Sequence, residues 1–120
     1  MIDHVGFEVM DLRRSARFYD AVLYALGARR MLESEHVVAY GINGPEVWVV
    51  TRGRAPAPAY GHVALRASGK AAVDAAHRAG VANGGSDDGP PGLRPQYGRR
   101  YYAAYMRDPD GLRVEVVSRR

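Results

Sequence analysis

Cysteine is absent from this chain of 120 residues, which excludes disulfides and thiolate metal sites. Lysine is almost absent: Lys70 is the only one among 17 basic side chains, and the others are arginines. No apolar run approaches the ~18 residues a membrane helix needs, so no membrane partner is expected. The opening Met-Ile-Asp-His lacks the basic and then apolar layout of a secretory signal. With cysteine also missing, the expected compartment is the cytoplasm.

What is present is an ordinary globular balance, 47% hydrophobic and 25% charged. The length suits a single domain over 1–120. The formal net charge is +4. The arginines are scattered, clustering only in short pairs such as Arg13-Arg14, Arg99-Arg100 and Arg119-Arg120. No basic helix face stands out, so a nucleic-acid partner is not expected.

The chain reads as two units joined by a linker. Residues 2–9 alternate, with Val5, Phe7 and Val9 on one face and His4, Gly6 and Glu8 on the other, which predicts a strand. Asp11 is placed to cap a helix whose apolar spacing runs from Leu12 to Leu26, with Gly27 as its stop. Strands are predicted over 28–34, 36–42 and 46–51, with Asn43-Gly44-Pro45 as a turn. Module 1 therefore covers 1–52 and the Pro/Ala-rich linker 53–59. Module 2, 60–120, opens on Tyr60-Gly-His-Val-Ala-Leu-Arg66, a second alternating strand. An alanine-rich helix follows from Lys70 to Ala79, closed by Gly80. Residues 82–98 read as a long Gly/Pro/Asp loop with room for one short strand. Strands at 101–106 and 113–117 flank the Asp108-Pro-Asp-Gly111 turn.

The order strand, helix, turn, strand thus recurs, and Ile2-Asp-His-Val overlays Tyr60-Gly-His-Val. The fold expected is α+β: two tandem βαβββ modules whose curved mixed sheets form a cleft, with helices on the outer faces. Strand parity sends His4, His62 and Glu115 into that cleft. Two imidazoles and a carboxylate suit Fe(II), Mn(II), Zn(II), Ni(II) or Co(II) and leave positions open for substrate. A carboxylate between Val114 and Val116 is costly to bury unpaired.

Paired βαβββ units, a histidine in the first strand of each, and Asp-Pro-Asp-Gly before a strand carrying Glu115 resemble the vicinal oxygen chelate superfamily. That superfamily holds glyoxalase I, bleomycin resistance proteins, extradiol dioxygenases and fosfomycin resistance enzymes. The stretch Asp88–Tyr97 followed by Tyr101-Tyr102 is similar to an uncharacterised glyoxalase-like subgroup. The resemblance implies a divalent metal ion on His4, His62 and Glu115, and a fourth ligand position at Trp48. Indole cannot bind the metal, so lactoylglutathione lyase activity proper is not expected. Glu46 shares that face but is displaced by about 7 Å along the strand.

The function implied is a metal-dependent lyase, isomerase or dioxygenase acting on a small oxygenated metabolite, with Glu115 and Tyr97 as catalytic groups. Glu8, Trp48, Arg66, Arg94 and Tyr101 are the expected substrate-lining residues. Arg66 has two readings, a partner for an anionic group or for Glu8. A homodimer is expected, with the modules paired within one chain or swapped between two. The alternative is a metal-free small-molecule binding protein of the bleomycin resistance kind.

Overall fold

The computed structural model describes residues 1–120. Its elements are β1 (Val5–Val9), α1 (Leu12–Ala25), β2 (Arg29–Glu33), β3 (Val37–Gly41) and β4 (Pro45–Thr51). The second module repeats them as β5 (His62–Arg66), α2 (Lys70–Ala82), β6 (Ser86–Leu93), β7 (Tyr102–Arg107) and β8 (Arg113–Ser118). Each module builds a four-stranded mixed sheet, ordered β1-β4-β3-β2 and β5-β8-β7-β6. The first strand lies parallel to the last in each, which requires the long crossover the helix provides.

The apolar side of each strand meets its helix. Val9, Val47 and Val49 from one sheet and Val114, Val116 and Met106 from the other share one core with Phe18, Val22 and Val73. The modules meet chiefly through α1 against α2. Asp11 caps α1 by accepting from the Arg14 amide at 3.0 Å.

Two sequence expectations change. Gly80 does not close α2, which runs on to Ala82. Its role is contact. A Cβ at Gly80 would lie 2.5 Å from Met106 Sδ and 2.8 Å from Val22 Cγ2, so glycine is what lets α1 and β7 close on α2. Residues 86–93 form a full strand rather than a loop. Its prolines are tolerated because β6 is an edge strand, where a missing N–H can face outward. The pairing of β6 with β7 is irregular, with register shifts between Asp87 and Gly89 and between Gly89 and Gly92.

The turn before β8 is built around Asp108, which is 5% exposed. Its Oδ1 accepts from the amides of Asp110 and Leu112, both at 2.9 Å. Gly111 takes φ +92, a conformation glycine adopts without strain. Asp110 in turn holds α1, accepting from Arg14 at 2.8 Å. The sheets do not close over a common cleft within one chain. The helix-to-helix contact leaves the face of each sheet opposite its helix open, and Gly6, Ala64 and Arg66 on those faces are exposed.

Candidate functional site

Parallel pairing of β5 with β8 sets the central geometry. Ala64 lies opposite Glu115, and Tyr105 lies opposite it on the other side. Val114 and Val116 point into the core, so Glu115 points to the open face of the sheet. It is nevertheless only 2% exposed. One carboxylate oxygen lies 3.2 Å from His62 Nε2, and the other accepts a hydrogen bond from the Tyr101 hydroxyl. No arginine or lysine is within ion-pair distance of Glu115. Burial and the hydrogen bond to Glu115 push the Tyr101 hydroxyl up to about 12, so it is a firm proton donor at neutral pH.

Tyr101 owes its position to the loop before β7. The Arg94 amide donates to the Tyr101 carbonyl at 2.8 Å, closing that loop. The Arg94 guanidinium donates to the carbonyls of Pro90 and Ala103 and lies 5.6 Å from the Tyr105 ring centre. Its Nε is buried without a partner. Arg94 therefore sits behind the site as a loop clamp. Tyr97 is 60% exposed and packs on Tyr101, with ring centres 5.4 Å apart. The hydroxyl that reaches Glu115 is that of Tyr101 rather than that of Tyr97. The usable signal was its place one residue before the strand that faces Glu115.

The other sheet carries the remaining expected residues. His4 precedes β1 and pairs with Asp3 at 2.6 Å. Its ring stands edge-on to Trp48, 6.1 Å between centres. Trp48 lies opposite Gly6 in the β1–β4 pairing, and its Nε1 is buried without a partner. Glu8 is held by Arg54 at 2.7 Å and Arg52 at 3.6 Å, both from the segment that leaves β4. Arg66 thus does not pair with Glu8, because the linker arginines reach it first.

His4 and His62 line one groove of about 800 Å³, together with Glu46 and Arg66. His4 does not join His62 and Glu115: no three His, Asp or Glu side chains of the single chain converge closely enough to hold a metal ion. The structure brings together His62, Glu115 and Tyr101 and leaves His4 and Trp48 as a separate wall. Of the other histidines, His77 pairs with Asp87 at 2.8 Å on the helix side, and His36 is exposed. No helix is long and apolar enough to cross a membrane.

Comparison with known proteins identifies this architecture. The model of the Glyoxalase/Bleomycin resistance protein/Dioxygenase superfamily matches residues 1–116, and the chain belongs to that superfamily. Among solved structures, it is similar to a glyoxalase/bleomycin resistance protein from Albidiferax ferrireducens T118. The two are 34% identical over 98% of this chain and 97% of that one, with a TM-score of 0.84. The fold is shared with lactoylglutathione lyase from Agrobacterium tumefaciens (22% identity, 98% and 92% coverage, TM-score 0.67). It is also shared with the fosfomycin resistance protein FosX from Mesorhizobium loti (24%, 98% and 91%, TM-score 0.70). No curated protein matches the chain by sequence.

Proposed function

We propose that this protein is a divalent-metal-dependent enzyme of its superfamily, acting on a small oxygenated metabolite. The observation that carries the reading is Glu115, a buried carboxylate with no arginine or lysine beside it and only the His62 imidazole within ion-pair distance. A carboxylate in that setting is destabilised unless a positive charge joins it. The nitrogen and oxygen donors of His62 and Glu115 fit a borderline divalent ion. His4 would complete the ligand set. The ion, when bound, supplies Lewis-acid polarisation of substrate oxygens.

The chain's own groups then have distinct tasks. Tyr101 orients Glu115 by donating its hydroxyl hydrogen bond to one carboxylate oxygen. Trp48 offers an aromatic wall beside His4. Tyr97 shields Tyr101 from solvent. The absence of a carboxylate at Trp48 sets the proposed reaction apart from that of lactoylglutathione lyase.

The proposed assembly is a homodimer. With α1 and α2 packed on each other, the open face of the first sheet lies free to cover the second sheet of another copy. A two-fold axis makes that contact twice and brings His4 of one chain toward His62 and Glu115 of the other. The test is elemental analysis of untagged protein with sedimentation analysis. About one divalent ion per chain and a dimer are expected. Lack of metal in both native and reconstituted protein, with His4→Ala changing nothing, overturns the reading.

A further inference from the structure

The arginines, scattered along the sequence, are not scattered in space. Arg14, Arg30, Arg52, Arg54, Arg107 and Arg113 each have a carboxylate partner. Arg17 and Arg94 donate to carbonyl oxygens. The guanidinium groups left over make no hydrogen bond or ion pair, and most of them gather at one place. Arg66, Arg119 and Arg120 line a cavity of about 500 Å³. Arg99, Arg100 and Arg119 line a second of about 300 Å³. Tyr101 and Arg119 belong to both, so the two form one continuous cradle.

No aspartate or glutamate lines either cavity. Arg66 enters through the β5–β8 pairing, which sets it opposite Val117, two residues before Arg119. Arg119 lies over the Tyr101 ring, 4.8 Å from its centre, which fixes one guanidinium without neutralising it. Like charges held together without counter-charge repel, and an anion relieves that repulsion. Guanidinium forks match phosphate and carboxylate oxygens in particular. Tyr101 lines the cradle and donates to Glu115, and Ala64 and Arg66 line both the cradle and the groove that holds His62, so the cradle adjoins the proposed metal site.

We infer that the site takes a substrate with an anionic tail, a phosphate ester or a carboxylate group, seated among Arg66, Arg99, Arg100 and Arg119. Its oxygenated end then reaches past Tyr101 to Glu115. The inference deepens the enzyme reading and rests on it for that oxygenated end, while anion binding by the cradle stands separately. A cationic ligand, as a drug-sequestering protein would need, is repelled from this side.

Calorimetric titration with pyrophosphate and with citrate tests the cradle and separates the phosphate from the carboxylate source. Wild type is expected to bind at least one of them, more weakly as salt is raised. Arg66→Gln and Arg119→Gln are each expected to weaken binding about tenfold. Arg78→Gln, an unpartnered arginine on α2, should leave it unchanged. His62→Ala should keep the anion while lowering metal content, so loss of the metal reading and loss of the cradle are told apart. Failure of both anions to bind, equal binding by the cradle variants, or tight binding of an oligonucleotide alone overturns the inference.

Discussion

The hydroxyl of Tyr19, in α1 of the first module, donates to the buried carboxylate of Asp108 in the second, at 2.7 Å. With the Arg14–Asp110 pair, this bond joins the helix of one module to the turn that launches β8, the strand carrying Glu115. Tyr19→Phe leaves one lone pair of a buried carboxylate unmatched. The expected loss is about 1–3 kcal/mol of unfolding free energy, read from urea denaturation. A change within a few tenths of a kcal/mol counts against the bond as a tie between modules.

Asp108 also sets a pH dependence. Burial raises its pKa above the ordinary 3.8, against the opposing hydrogen bonds from Tyr19 and the Leu112 and Asp110 amides. The folded state therefore holds this proton more tightly than the unfolded chain. Stability from this group is present below 3.8 and is lost as pH rises through the raised native value. The difference between wild type and Asp108→Asn should thus shift in favour of wild type on acidification. Paired unfolding curves from pH about 6 down to 4 read it. A constant difference contradicts the assignment.

Gly80 sits where two effects compete. Alanine in a helix interior is favoured by about 1 kcal/mol over glycine. The added Cβ would meet Val22 Cγ2 at 2.8 Å and Met106 Sδ at 2.5 Å. Overpacking of that kind costs about 1–3 kcal/mol, so Gly80→Ala should be net destabilising. A rise in melting temperature would mean that the helix contact is looser than the structure has it.

Trp48 is the only tryptophan and stands beside His4, which makes it a reporter. Co(II) added to metal-free protein should quench its fluorescence, and His4→Ala should remove the quenching. Quenching that survives in His4→Ala places the ion elsewhere.

Tyr101→Phe keeps the ring under Arg119 and removes only the hydroxyl that Glu115 accepts from. Metal affinity should fall by about 10–100-fold while the fold is retained, as for other groups that orient a ligand. Unchanged affinity in competition with a chelator removes Tyr101 from the site.

Much of this architecture was legible in the residues. Alternation in Val5–Val9 and the spacing of α1 fixed which faces turn inward, because strand and helix periods allow little choice. Parity likewise turned Glu115 away from the core. What escaped were features set by pairing between distant segments. The Ser86–Leu93 strand hid behind glycines and prolines that only an edge position tolerates. Gly80 read as a stop because nothing local reveals that Phe18 and Val22 cross there. The arginine cradle was invisible because Arg66 meets Arg119 only through the register of β5 on β8. His4 shows the converse limit: parity gave its direction, but the packing of α1 on α2 decided what it could face.

Trp48 and Glu115 hold equivalent places in two copies of one unit. The chain of contacts His62–Glu115–Tyr101 lies wholly within the second copy. The first is therefore free to vary at Trp48 in size and polarity without disturbing it. Duplication inside a chain here has the effect that duplication of a gene has between chains. One copy retains the demanding arrangement, and the other becomes the place where selectivity can drift.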